Sequence, residues 1–232
     1  MIYRKAFDLS LYLVLDPDLC GGPQGMVETA RLAAENGAGV VQLRAPGWKK
    51  RQWLTTAAEL KAVLDPLGVP LIVNDHIDVA LAVDAAGVHV GQSDLPAAVV
   101  RRLLGPHKLL GLSVSSAIEL ANAELAGVDY LGIGPVHPTG TKPDAAPATG
   151  LAQFAELVRA TALPVVAIGG IQSGNCLPLL RAGARGVAVV SAICGQRDPA
   201  HATQTLLGEI RSVLSPCSLK PAIPDFCCDS IG

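Results

Sequence analysis

At 232 residues the chain fits one large domain or two small ones, with half of its residues apolar but only 3% aromatic, so a core of Ala, Val, Leu and Ile is expected. A net charge near −2 without a basic cluster excludes an electrostatic nucleic-acid surface; the single cationic run, Lys49, Lys50 and Arg51, reads as a solvated helix start. The apolar runs are too short for a membrane span, and "MIYRKAFDLS" lacks the apolar stretch of a signal peptide, so a soluble cytoplasmic protein is expected.

The chain opens with an apolar strand, "LYLVLD" (11–16), followed by "DPDLCGGPQG" in place of any G-x-G-x-x-G, which removes local support for a dinucleotide fold. A helix over 26–36 leads to strand "VVQLR" (40–44), and a helix over 52–64 to strand "PLIVND" (70–75). Next come a helix over 77–85, strand "GVHVGQ" (87–92), a helix over 96–104, strand "LLGLSV" (109–114) and a helix over 116–126. Strand "YLGIG" (130–134) enters a long polar loop, "GPVHPTGTKPDAAPATG" (134–150). A helix over 151–160, strand "PVVAIGG" (164–170), a helix over 174–182, strand "GVAVVSAI" (186–193) and a helix over 200–213 complete the pattern. From Pro216 the stretch "PCSLKPAIPDFCCDSIG" has three prolines and no periodicity, and reads as a loose C-terminal extension (216–232) beyond one domain (1–215).

Four segments resemble one another: "AENGAGVVQL", "AVDAAGVHVG", "AELAGVDYLG" and "LRAGARGVAVV". Each reads as a helix end, a glycine able to take the left-handed conformation, and a β-rich run. Eight such βα units, whose strands are near-continuous apolar runs, predict an α/β fold of one (β/α)8 TIM barrel. An open doubly wound sheet is the alternative. The six cysteines include no C-x-x-C pair and read as reduced thiols.

In such a barrel, chemistry gathers at the C-terminal strand ends. Here those ends carry Asp16, Gln42, Arg44, Asn74, Asp75, Gln92, Asp94 and Ser113, then the loop with Thr139, Thr141 and Lys142, then Gly169, Gly170 and Ser191. The opposite ends show Gly, Pro and Val. A polar residue after a strand is also a common helix cap, a reading that fits Asp75 and Asp94 equally well and is preferred for Ser173, while Asp16 fits a cap with Pro17. His89 and His137 have no evident catalytic partner and read as structural.

The chemical character of the rim is anion binding. Asn74, Asp75 and Asp94 offer hard oxygen ligands that suit Mg²⁺ shared with substrate phosphates. Arg44 and Lys142 supply cations, Thr139 and Thr141 hydroxyls, and the Gly169-Gly170 turn with the end of strand eight matches the recurrent barrel phosphate site. With no Cys–His pair, Ser–His–Asp order or Schiff-base lysine, electrostatically assisted departure of a diphosphate is preferred over covalent catalysis.

"VVQLR", "IVND", "GVHVGQSD", "GLSV", "GIGPVHPTGTK", "PVVAIGGI" and "AGARGVAVVSAI" occur in that order, and together they resemble the thiamine-phosphate synthase family from about residue 11 to residue 202. The resemblance implies condensation of hydroxymethylpyrimidine diphosphate with a thiazole phosphate, dissociatively and with Mg²⁺, these two small molecules being the expected partners. It implies that Gln42, Arg44, Asn74, Ser113 and Lys142 face the pyrimidine diphosphate, with Arg44, Ser113 and Lys142 counted as catalytic. Asp75 and Asp94 would hold the metal, and Thr139, Thr141, Gly169, Val190 and Ser191 the thiazole phosphate. The long loop would then be a lid that keeps water from the cation formed when diphosphate leaves.

One departure stands out: Pro46 occupies the place of the lysine in the family's Gln-Leu-Arg-x-Lys, and Lys49 or Lys50 is the candidate replacement. A thiazole tautomerase on the same barrel is the rival, but the stretch after strand five is "SVSS" where a catalytic His is expected. An inactive phosphate-binding barrel is a further alternative. The residues leave a homo-oligomer and the choice of carboxylated or non-carboxylated thiazole open.

Overall fold

The computed structural model describes residues 7–141 and 147–214. Eight parallel strands close into a barrel: β1 (Leu11–Leu15), β2 (Val40–Leu43), β3 (Leu71–Asn74), β4 (Gly87–Val90), β5 (Leu109–Val114), β6 (Tyr130–Ile133), β7 (Val165–Ile168) and β8 (Gly186–Val189). Each strand pairs with the next, and β1 closes the ring on β8, with Tyr12 opposite Val40 on one side and Ala188 on the other. The expected (β/α)8 barrel is therefore the fold.

Around it run α1 (Pro17–Cys20), α2 (Pro23–Glu35), α3 (Lys50–Leu64), α4 (Ile77–Ala82), α5 (Ala97–Leu104), α6 (Ala117–Asn122), α7 (Gly150–Arg159), α8 (Leu177–Arg181) and α9 (Pro199–Val213). Helix α3 shows why they pack: Trp53, Thr56, Ala57, Leu60 and Leu64 recur at helical spacing on its buried face. Outward strand residues such as Leu11, Leu13, Leu15, Val41, Leu43, Val88 and Val90 meet these helices in the main core. Inward residues Tyr12, Val14, Val40, Ile72, Leu109, Tyr130, Val166 and Ala188 form a second core, with Leu9 and Phe7 ahead of β1. No helix among the described residues is long and apolar enough to cross a membrane.

Several boundaries differ from the sequence expectation for identifiable reasons. The stretch after β1 holds a short helix, α1, because the Asp16 carboxylate accepts hydrogen bonds from the backbone N–H of Asp18 and Leu19, both at 3.0 Å, with Pro17 at the first helical position. Asp16 is thus a cap, one of the two readings its sequence allows. Strand β7 stops before the glycine pair and β8 stops before Val190, whose carbonyl accepts from the N–H of Ile193 and Cys194 in a tight turn. Helices α4, α6 and α8 are shorter than their apolar patterns suggest.

Gly37, Gly127 and Gly183 have the positive φ expected at helix ends, but in the second repeat the left-handed residue is Asp84 (φ 54°), and Gly87 lies inside β4. The expected bland N-terminal rim is also only partly so. There Arg101 pairs with the nearly buried Asp129 at 2.8 Å, and that carboxylate also accepts from the N–H of Leu110. The guanidinium additionally donates to the carbonyls of Gly105, Lys108 and Gly127, so this buried charge is fully engaged. The tail 216–232 lies outside the described residues.

Candidate active site

A chain of side-chain hydrogen bonds crosses the barrel interior. Gln42 on β2 donates through Nε2 to the Tyr12 hydroxyl at 2.8 Å, the Tyr12 and Tyr130 hydroxyls are 2.9 Å apart, His89 Nδ1 lies 3.1 Å from the Tyr130 hydroxyl, and His89 Nε2 lies 2.8 Å from Ser113 Oγ. With the Gln42 amide nitrogen as donor at one end, one direction satisfies every member. Tyr12 donates to Tyr130, Tyr130 to His89 Nδ1, and His89 Nε2–H to Ser113. Ser113 then accepts from within and keeps its own proton for a ligand above it.

Burial raises the pKa of both tyrosines, so the two phenols remain neutral at any ordinary pH. Space for this chain is made by Gly111, where an added Cβ would stand 2.3 Å from both His89 Nδ1 and the Tyr130 ring. Replacing Tyr130 by Phe leaves Tyr12 without its acceptor and His89 Nδ1 without its donor. A loss of about 1–3 kcal/mol in urea unfolding is expected. An unchanged unfolding midpoint would mean the chain of hydrogen bonds does not exist in solution.

Above this interior lie the acids. Asn74 ends β3 and donates through Nδ2 to Asp75 Oδ2 at 2.5 Å, while the Asp75 N–H bonds the His89 carbonyl at 2.9 Å. Asp75 has φ 57°, a left-handed conformation uncommon for a residue other than glycine and concentrated where position matters. Asp94 bonds backward, its Oδ2 accepting from the Gly91 N–H at 2.7 Å. The N-cap positions of α4 and α5 are held by His76 and Pro96, so neither Asp75 nor Asp94 occupies one. Nor does Ser173: its hydroxyl donates to Glu209 on α9, which also accepts from the Gly174 N–H at 2.9 Å and from the Cys176 thiol at 3.3 Å.

The long loop is tied at its neck. The N–H groups of Val136 and His137 bond the carbonyls of Ile168 and Gly169, and those of Thr149 and Gly150 bond the carbonyls of Pro135 and Val136. The loop therefore leaves and returns at one place, directly over the glycine turn after β7. Gly169 (φ 100°) and Gly170 (φ 63°) permit this contact, since a Cβ would fall 2.4 Å from Pro135 Cβ at Gly169 and 2.5 Å from the Pro138 carbonyl oxygen at Gly170. Thr139 and Thr141 hold their hydroxyls 3.0 Å apart in the same loop. Lys142 lies outside the described residues.

Val190 and Ser191 follow β8 beside this turn, with Gln172 Nε2 donating to Ser191 Oγ at 2.8 Å. Arg44 directly follows the buried end of β2 and is half-buried. Lys50 opens α3, where its ammonium bonds Asp78 and His76 Nδ1, each at 2.7 Å. His76 also packs edge-on against Trp53 at 4.4 Å and immediately follows Asp75; its pKa is lowered by burial and by the Lys50 charge. Among the described residues no cluster of three or more His, Cys, Asp or Glu could hold a metal on its own. The donor set of Asp75, Asp94 and Asn74 fits instead a hard cation that takes most of its oxygens from a ligand's phosphates and water.

A sequence profile of the family described as thiamine monophosphate synthase matches residues 11–193. The chain belongs to that family. The thiamine-phosphate synthase of Laribacter hongkongensis is 58% identical over 203 residues, covering 88% of this chain and 96% of that protein. Its counterpart from Xanthobacter autotrophicus is 50% identical over 87% of this chain and 95% of its own length. Among solved structures, thiamine phosphate pyrophosphorylase from Pyrococcus furiosus superposes with a TM-score of 0.81 at 37% identity, covering 89% of this chain and 98% of that one. A 3-hexulose-6-phosphate synthase at 18% identity and TM-score 0.64 shares the fold alone.

In this member of the thiamine monophosphate synthase family, Gln42 and Ser113 stand at the two ends of the interior chain. The loop that carries Thr139 and Thr141 is tied at its neck to Gly169, and Asp75 and Asp94 follow β3 and β4. Sequence reasoning missed the three residues that join Gln42 to Ser113: Tyr12, His89 and Tyr130. The signal that could have found them is alternation within the short strands, where Tyr12, His89 and Tyr130 sit between outward apolar neighbours such as Leu11, Leu13, Val88, Val90 and Leu131.

Proposed function

We propose that this protein condenses hydroxymethylpyrimidine diphosphate with a thiazole phosphate, yielding thiamine phosphate and diphosphate. The observation that carries the reading is the concentration of acids, amides, hydroxyls and a left-handed glycine turn at one end of a barrel in this family. In this reading Arg44 and Ser113 bind the leaving diphosphate, Ser113 with the proton that the His89 hydrogen bond leaves it. Lys142 joins them from the long loop. Gln42 and Asn74 orient the pyrimidine. Asp75 and Asp94 would hold Mg²⁺, which supplies charge neutralisation for the departing diphosphate.

Thr139, Thr141, Gly169, Val190 and Ser191 would seat the thiazole phosphate. The pyrimidine carbocation left by diphosphate departure is captured by the thiazole nitrogen, and loop closure over the glycine turn keeps water out. No covalent nucleophile takes part in this reading. Lys50, rather than Lys49, takes the charge absent at Pro46: it lies on His76, next to Asp75, and its exposed pairing with Asp78 is worth only ~0–1 kcal/mol and is readily exchanged for a diphosphate.

One coupling assay tests the reading. Purified protein and Lys50→Ala are given both substrates, with and without Mg²⁺, and thiamine phosphate is measured. Mg²⁺-dependent product from the wild type is expected, with a raised KM for the diphosphate substrate in the variant. No product from folded protein would refute the synthase reading, and an unchanged KM would remove Lys50 from the diphosphate site.

A further inference from the structure

Two thiols lie against each other at the C-terminal end of the barrel, where the connections after β1 and β8 meet. Cys20 ends α1, and Cys194 closes the turn after β8. Each thiol lies close enough to shift the other's ionisation, while Cys194 Sγ reaches the Val14 carbonyl at 3.6 Å. The two backbones approach closely: a Cβ added at Gly195 would stand 3.3 Å from the Leu19 carbonyl oxygen and 3.6 Å from Leu19 Cβ. Cys20 is partly exposed and Cys194 is buried. One thiol is thus open to solvent reagents and the other is shielded behind it.

We propose that Cys20 and Cys194 are an oxidation site, forming an intramolecular disulfide when the protein meets a peroxide. The Cys20 thiolate attacks one peroxide oxygen and breaks the O–O bond. With one proton taken up, this gives a Cys20 sulfenic acid and water. The Cys194 sulfur then attacks the Cys20 sulfur, a second water leaves with the Cys194 proton, and the S–S bond forms. Two thiols and one peroxide thus give one disulfide and two waters. Reduction by a dithiol reverses it.

The chemistry of the pair suits these roles. The neighbouring Cys194 thiol brings the Cys20 pKa down to about 7, against the opposing effects of burial and the Asp16 carboxylate, with Thr29 acting in the same direction as Cys194. The same contact and burial raise the pKa of Cys194. An attacking thiol with pKa near ambient pH suits the reaction with peroxide, and Cys194 gives up its proton to the departing oxygen as its sulfur attacks. Cys176 differs: burial pushes it up to about 12, and it has Glu209 rather than a second thiol beside it.

Oxidation has a route to the site. The backbone of Cys194 donates to the Val190 carbonyl at 2.8 Å, so a bond that draws Cys194 toward α1 pulls on the turn carrying Val190 and Ser191. If that turn seats the thiazole phosphate, as in the proposed function, oxidation raises the KM for that substrate about fivefold or more.

The test treats the full-length protein with hydrogen peroxide, blocks remaining thiols, and maps the peptides without reduction. A peptide pair joining Cys20 to Cys194 is expected, disappearing with dithiothreitol and absent in Cys20→Ser. Alkylation of Cys20 against pH should show a midpoint near 7. That midpoint should be retained in Cys194→Ser, whose hydroxyl is itself a hydrogen-bond donor, and should rise toward ~8.5 in Cys194→Ala. Oxidation of Cys20 to sulfinic acid, or its linkage to a cysteine of the tail instead of Cys194, would overturn the proposal. The mapping is independent of which substrates the protein uses. A disulfide without a KM effect would leave the oxidation site standing and remove its link to the phosphate turn.

Discussion

Asp94→Asn is expected to lower kcat by about a hundredfold or more while leaving thermal stability nearly unchanged. Asn keeps the side-chain oxygen that accepts from the Gly91 N–H, so the turn after β4 persists and only the charge is lost. A carboxylate helping to neutralise a departing diphosphate through a metal contributes several kcal/mol in the transition state, and each 1.36 kcal/mol is about tenfold in rate. Asp75→Asn should act in the same way, because Asn tolerates the left-handed backbone that Asp75 adopts. The measurement is steady-state kinetics across a Mg²⁺ titration. A near-normal kcat at every Mg²⁺ concentration would reduce Asp94 to a turn-forming residue.

Gly169→Ala is expected to separate the loop from the turn beneath it. At φ 100° an alanine is strained, and its Cβ would stand 2.4 Å from Pro135 Cβ and 2.5 Å from Pro135 Cα. Backbone strain of roughly 1 kcal/mol and overpacking of about 1–3 kcal/mol add at one position. The neck must shift, and with it Thr139 and Thr141. Thermal unfolding should move down, and the KM for the thiazole phosphate should rise by about tenfold or more, with a smaller change for the diphosphate substrate. Gly68→Ala is the control, since Gly68 also has positive φ (69°) but nothing within 4 Å of an added Cβ. It should cost stability without changing either KM. Equal behaviour of the two variants would show that loop contact at Gly169 is irrelevant to binding.

The placement of the candidate site was legible because a parallel barrel gathers the ends of its strands. Once eight βα units were counted, Gln42, Asn74 and Ser113 had to lie on one rim, along with the residues just past the strands. What was not legible was which polar residues merely serve the backbone. Asp75 and Asp94 read equally as caps until α4 and α5 proved to start without them. Ser173, the preferred cap, instead joins its turn to Glu209, 36 residues away. His89, read as structural, is the link between Tyr130 and Ser113.

The amino-acid sequence by itself determined the architecture and the polar end of the barrel, because helix periodicity, helix-ending turns and strand runs are local properties. Even the bounds of the long loop followed from composition. The tertiary structure alone decided which side chains meet inside. Every strand is buried on both faces, and although polar or small residues alternate with apolar ones in β4, β5 and β6, that alternation does not say which side chains meet across the interior. Only closure of β8 on β1 brings Tyr12 and Tyr130, 118 residues apart, within one hydrogen bond. The same closure sets Cys20 against Cys194, a contact between the two ends of the ring that no local pattern encodes.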